Sequence, residues 1–370
     1  MPEAWEILRQ WLPADLEQIA WQSGFFQRAR GLQNAEQWLR LILMHVAGGL
    51  SLEQTVVRAH ELGLPKVSAV ALFKRLRGAH DWLLELTRHL QRDQQRLWGQ
   101  YRASPAPQRL RVIDATDIQE PGSTGTALRL HYSLQLPELC CDYFELTDKR
   151  GGEKLGRFQF AAGEWILADR GYSHRAGAAL VLQAGAQLIV RWNPSLFPLE
   201  SDHGEAFDPV AEVKGMPLGE VRHWPVWFNW EKQRYRLWVC AIRKSQEAAE
   251  RARKKVLLKA RSNGTKVVQS RSLALSEFTF VLSSLSPEQF APTAVLDLYR
   301  CRWQVELAFK RLKSLLAAGH VPKHDDGSAK SWMQAKILSA LLIERVLGEG
   351  NFFFPWGYAI RGGKPLAQLS

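Results

Sequence analysis

At Ser104-Pro105-Ala106-Pro107 the hydrophobic period of this chain changes, and the change separates two kinds of folding. Before it, apolar residues recur at spacings of three and four, as in Trp5, Leu8, Trp11, Leu12 and again in Trp38, Leu39, Leu41, Ile42. That is the pattern of one buried helix face. After it, short β-type runs end in aspartate: Leu110 to Ile113 before Asp114, and Trp165 to Ala168 before Asp169. Ala176 to Gln183 then reads as a helix and Gln187 to Trp192 as a strand. Strands alternating with helices predict an α/β core, preceded by an all-α domain over residues 1–103.

Within the helical part, Ser51 with Gln54 forms a helix start of the capping-box type. Ser68 can cap a following helix that carries Lys74, Arg75 and Arg77. A short helix, a turn and a basic helix suit a DNA-binding domain that reads a major groove. A packing domain with solvated arginines is the plainer alternative.

Residues 201–290 are different again. Val226 to Trp230 and Tyr235 to Ile242 are aromatic strand-like runs, and Arg243 to Arg271 holds ten Lys/Arg against two Glu, a net of +8. The whole chain carries +12, so two-thirds of its surplus lies in one stretch. A concentration of that kind predicts contact with a polyanion, through Lys254, Lys255 and Lys259 among others. A solvated helix would show the same composition. No apolar run reaches the ~18–20 residues of a spanning helix, which speaks against a membrane partner. Cys140, Cys141, Cys240 and Cys301 make no CxxC pair, and the first residues carry no leader-like pattern. Both fit a cytoplasmic protein.

Asp114 and Asp169 stand where strands end, so they can converge over one sheet edge; Asp117 competes with Asp114 for the first place. A third carboxylate follows in Tyr299-Arg-Cys-Arg302-Trp-Gln-Val-Glu306-Leu-Ala-Phe-Lys310-Arg-Leu-Lys313. On one helix from about Thr293 to Leu316, Tyr299, Arg302, Glu306, Lys310 and Lys313 share an arc of ~80° at ~100° per residue. One acid among several cations reads better as a metal ligand beside phosphate-binding groups than as an ion-pair face. Trp303 is either a core residue or a base-stacking one. Three carboxylates suit Mg²⁺ or Mn²⁺.

These residues carry a resemblance. Tyr299-x2-Arg302-x3-Glu306-x6-Lys313 resembles the Y-R-E-K signature of DD-E transposases from bacterial insertion sequences, of the insertion-sequence-four family. Asp169-Arg170-Gly171-Tyr172 resembles that family's second-aspartate block. Arg129-Leu-His131-Tyr132 and Gly151-Gly152-Glu153 resemble flanking blocks. The first block, usually Asp-Gly-Thr, is here Asp114-Ala115-Thr116. The resemblance implies a ribonuclease-H-like catalytic core at 108–200 and 291–347, interrupted by a β-rich basic insertion at 201–290, with a tail at 348–370. It implies that Asp114, Asp169 and Glu306 are catalytic and hold two divalent ions, Mg²⁺ or Mn²⁺. Tyr299, Arg302, Trp303, Lys310 and Lys313 would contact DNA. The expected activity is cleavage at transposon ends and strand transfer into target DNA. The expected partners are terminal inverted repeats, target DNA and a second subunit in a homodimer, in the cytoplasm on the bacterial nucleoid. A DNA-binding protein that has lost catalysis, and a metal nuclease without strand transfer, are the rival readings.

Overall fold

The computed structural model describes residues 2–26, 34–101, 109–122, 125–264, 267–322 and 325–349. The linker at 104–107 and the tail beyond residue 349 lie outside them. Helices α1 (Pro2–Arg9), α2 (Leu16–Gln22), α3 (Ala35–Val46), α4 (Leu52–Glu61), α5 (Ala69–Arg77) and α6 (His80–Tyr101) come first. Strands β1 (Leu110–Gln119), β2 (Thr126–Leu136), β3 (Cys140–Asp148) and β4 (Trp165–Ala168) follow, then α7 (Arg175–Gln183), β5 (Gln187–Arg191) and the short α8 (Pro209–Glu212). Next come β6 (Val221–Trp230), β7 (Gln233–Arg243), α9 (Gln246–Ser262), α10 (Ser270–Ser276) and β8 (Phe278–Ser283). The chain closes with α11 (Pro292–Arg300), α12 (Trp303–Ser314) and α13 (Asp326–Glu349). Two compact units result: Met1–Pro105 with Asp117–Leu128 and Phe309–Ser370, and Ala106–Thr116 with Arg129–Ala308.

The first unit is helical where its apolar stripes meet. Leu39, Ile42, Leu72, Leu76, Leu83 and Leu86 are fully buried, and the Phe25 ring stacks on Trp82 at 4.2 Å. Ser51 accepts the Gln54 N–H at 3.1 Å and Gln54 accepts the Ser51 N–H at 2.9 Å, so the capping box forms. Ser68 caps α5 through the Ala71 N–H. The α5 cations do not all face solvent. Arg75 turns inward, donates to the Phe25 carbonyl at 2.7 Å and lies over the Phe25, Phe26 and Trp38 rings. Arg77 pairs with Asp325 at 3.2 Å, and Lys74 is exposed. α13 starts at Asp326, where the preceding Asp325 carboxylate accepts both the Ser328 N–H and its hydroxyl at 2.9 Å.

The second unit is mixed α/β, built on an eight-stranded sheet of order β3-β2-β1-β4-β5-β8-β7-β6. β1, β4 and β5 are mutually parallel; β8, β7 and β6 then alternate antiparallel. The aromatic runs of the 201–290 segment thus continue the same sheet. Their inward residues Val226, Leu237, Val239 and Leu282 share one core with Ile113, Ile166, Ala168 and Val190.

Two elements depart from the sequence reading. β1 runs through Asp114 to Gln119, because Ile118, 1% exposed, anchors its far end; its pairing with β4 nevertheless stops at Ile113 opposite Ala168. The single helix expected over 293–316 is two, broken at Cys301-Arg302. There the Arg302 N–H bonds Tyr299 and the Gln304 N–H bonds Cys301, each three residues back at 3.0 Å. No helix among the described residues is long and apolar enough to cross a membrane.

Candidate active site

The parallel strands set the first two carboxylates side by side. Ile113 pairs with Ala168, so Asp114 and Asp169 are the next neighbours in register. The break between α11 and α12 brings the rest. Arg302 sits in the break, 17% exposed, and reaches all three carboxylates: Asp114 Oδ2 at 3.2 Å, Glu306 Oε1 at 2.5 Å and Asp169 Oδ1 at 3.8 Å. The Tyr299 hydroxyl donates to Asp169 Oδ1 at 3.1 Å. Four residues scattered over nearly two hundred positions therefore meet around the guanidinium of Arg302.

The charges respond to this crowding. Burial pushes the Asp114 carboxyl up to about 7, opposed by the Ala115 N–H at 2.8 Å and by Arg302, and helped by the Asp169 and Glu153 charges. The Tyr299 phenol is raised by burial and then by Asp169. Burial alone would lower Arg302, but Tyr299, Asp169, Glu306 and Asp114 hold it well above the ordinary guanidinium value.

Glu153, of the Gly151-Gly152-Glu153 block, is a fourth acid here. Its carboxylate lies against the Cα of Gly171, where a Cβ would overlap Glu153 Oε2. The Tyr172 hydroxyl is buried next to Glu153 and Asp114. It has no hydrogen-bond partner among the described residues.

The other expected site residues lie as follows. Trp303 is 57% exposed, so it is not a core residue. Lys310 is exposed on α12. Lys313 has an acidic neighbour: Asp117 opposes the lowering that burial imposes on its ammonium, while its stem lies beside Gly319. Asp117 comes from a distant part of the chain, so the sequence of α12 gives no sign of it. Lys254, Lys255 and Lys259 are exposed on α9.

Comparison with known proteins defines the class. Residues 147–342 match the family model of the transposase DDE domain, so the chain belongs to the DDE transposases. It is 32% identical, over 93% of both chains, to the InsL protein of insertion sequence element IS186A of Escherichia coli (strain K12). It is equally similar, at 32% over 93% of both chains, to the transposase for insertion sequence element IS421 of Escherichia coli. Among solved structures, the piggyBac transposase synaptic complex with hairpin DNA aligns with a TM-score of 0.46 and 10% identity, over 92% of this chain and 75% of that one. The protein is a bacterial insertion-sequence transposase, an enzyme that cleaves DNA and transfers strands.

Divalent-metal dependence belongs to this family. The donor set suits it: three carboxylates are hard oxygen ligands, and the orphan Tyr172 hydroxyl beside Asp114 would gain a partner in the water shell of an ion held there. As the side chains stand, no three acidic, imidazole or thiol groups among the described residues are close enough to share one ion. The carboxylates converge on the Arg302 guanidinium instead of on one another.

Gly171→Ala tests the Glu153 position. The colliding atom is the end of a flexible side chain, so Glu153 moves aside and the fold survives. The melting temperature is expected to change little and DNA cleavage to fall by about tenfold, near 1.4 kcal/mol in the barrier. Wild-type cleavage in this variant would show that the Glu153 position is immaterial.

Proposed function

We propose that this transposase acts by cut-and-paste, in the manner of the insertion-sequence-four family with its Y-R-E-K signature. It would cleave double-stranded DNA at the terminal inverted repeats and join the freed ends to target DNA. The observation that carries this reading is the convergence of Asp114, Asp169 and Glu306 on Arg302 at the carboxyl ends of parallel strands. Strand order β3-β2-β1-β4-β5 with a parallel β1-β4-β5 set supports a ribonuclease-H-like core. Residues 201–290 are then its β-rich insertion, and residues 1–103 an all-α DNA-binding domain.

In this reading Asp114, Asp169 and Glu306 hold two Mg²⁺ or Mn²⁺ ions. Such ions lower the pKa of an attacking water or 3′-hydroxyl and neutralise the leaving oxygen. The protein's own groups do the positioning. Tyr299 would release its hydrogen bond to Asp169 and donate its hydroxyl instead to a phosphate oxygen beside the cut. Arg302 supplies a positive charge at the point where negative charge develops. Lys310 and Lys313, further along α12, hold neighbouring phosphates. Trp303, exposed, is free to stack on an unpaired base. The protein would act as a homodimer, one subunit per transposon end.

The test incubates the purified protein with a duplex of the sequence flanking its gene, a target plasmid and Mg²⁺. Cleaved ends followed by a joined plasmid product are expected, and chelation should remove both. Cleavage without joining would instead mark a nuclease, and binding without cleavage a protein that has lost its chemistry.

A further inference from the structure

The register that aligns the catalytic carboxylates continues one strand further. Ala168 pairs with Val190, so the neighbour of Asp169 on β5 is Arg191. Asp114, Asp169 and Arg191 thus form one row across β1, β4 and β5, with ~4.8 Å between strands.

The row goes on beyond β5. Arg191 is opposite Val281 on β8, and Val281 is opposite Cys240 on β7. Both pairings are antiparallel, so β7 runs in the same direction as β5. Its carboxyl end opens on the same sheet edge, and Lys244 follows it directly. Arg170 follows Asp169 and is steadied by Asn193 Oδ1 at 3.0 Å. From α9, Lys255 acts on Lys244.

These cations crowd one another. Lys244 is brought down to about 8 by burial first, then by Arg191, Arg170 and Lys255. The Glu277 carboxylate does not relieve them, because it is taken by Arg243 and Arg253. No ion pair forms at Arg191, Lys244 or Lys255 among the described residues. The Lys244 ammonium donates to the Ser276 carbonyl at 2.6 Å, which fixes its place without neutralising it. Arg191 and Lys244 are half-buried while Arg170 and Lys255 are exposed, and half-buried like charges without a matching acid are unfavourable unless an anion joins them.

We propose that Arg170, Arg191, Lys244 and Lys255 form a track for the sugar-phosphate backbone of DNA, leading from the catalytic carboxylates across the ends of β5 and β7 to α9. The inference rests on the DNA-cleavage reading of the site and extends it. From β4 to β7 is three strand spacings, ~14 Å. One strand of a duplex advances ~3.4 Å along its axis per phosphate, so a span of that length faces more than one phosphate of the strand. A single small phosphate cannot bridge it, so the occupant is a polymer backbone. The track also distinguishes among the α9 lysines: Lys255 belongs to it by its effect on Lys244.

The full chain, without metal, is titrated with a duplex of the gene's flanking sequence over a range of salt concentrations. Arg191→Gln with Lys244→Gln should reduce the slope of log K against log salt by about 0.9 for each phosphate that is no longer neutralised. Lys232→Gln removes a charge at the other end of β7, in its turn with β6, and should keep the wild-type slope. If the double variant fails to fold, Lys255→Gln on the exposed face of α9 reads the same quantity. An unchanged slope in the track variants overturns the proposal, as does an equal flattening in Lys232→Gln. The cleavage reading is judged separately: wild-type protein that cleaves while the slopes coincide refutes the track alone. Wild-type protein that never cleaves, with the slopes still divided, refutes the cleavage reading and leaves the track.

Discussion

Asp114→Asn, Asp169→Asn and Glu306→Gln, made one at a time, are each expected to abolish DNA cleavage while leaving DNA binding near the wild-type level. Each change keeps the shape of the side chain and removes one of the oxygen ligands proposed for the metal ions. A divalent ion contributes several kcal/mol to the charge balance of the transition state, so losing its seat should lower the rate by ~10³-fold or more. Binding is preserved because the phosphate-facing cations are untouched. Folding should not suffer either. Each variant leaves Arg302 with two of its three carboxylates, and the Asp114 change removes a carboxylate that burial already disfavours as an anion. Asp117→Asn is the comparison. Asp117 is exposed and its cationic neighbour is Lys313, so that variant should cleave normally. Cleavage assays on a labelled duplex, with an anisotropy measurement of binding, check all four. Full activity in Asp114→Asn combined with none in Asp117→Asn would move the first carboxylate to Asp117.

Part of this site can be read from the chain, and the reason is local periodicity. Short β-type runs ending in Asp114 and Asp169 identify strands, and the spacing of Tyr299, Arg302 and Glu306 groups those three, although they lie on two helices and the break between them and not on one helix face. What cannot be read depends on contacts between distant segments. Cys301 and Arg302 have ordinary helix propensity, so the break that turns Arg302 onto three acids has no local marker. Arg75 looks like a solvent cation until Phe25, Phe26 and Trp38 close over it. Lys313 finds Asp117 only in the folded chain. Arg191 is the last residue of an apolar strand, and its place at the sheet edge beside Asp169 follows from register, which one strand alone does not reveal. The alternation of strands and helices was legible. That β6 to β8 would join the same sheet was not, because strand pairing is non-local.

The largest loss of stability is expected near the amino-terminal end of β1, three residues before Asp114, from Arg111→Met. Arg111 lies on β1 with its side chain only 5% exposed. It pairs with Asp142 at 2.7 Å and Glu164 at 3.0 Å, and donates to the Gln159 carbonyl at 2.7 Å and to Ser133 Oγ at 3.2 Å. Asp142 and Glu164 are 3% and 5% exposed. Removing one member of such a network leaves buried charge uncompensated, which costs about 3–5 kcal/mol. Arg109, at 3.1 Å from Glu164 and 3.7 Å from Asp142, limits the damage without replacing the missing donors. Methionine fills the volume, so the effect is electrostatic and not a cavity. The pH dependence follows from Asp142, whose carboxyl burial holds above its ordinary 3.8 even with Arg111 in place. A carboxyl with a raised folded pKa binds its proton more tightly folded than unfolded. Its penalty is therefore absent below the unfolded value and grows as pH rises from there through the folded value. Without Arg111 that window reaches higher. Urea unfolding should show the variant much less stable than wild type at mildly alkaline pH, with the gap narrowing in mild acid. A variant as stable as wild type, or a gap that widens in acid, would show that the two carboxylates do not depend on Arg111.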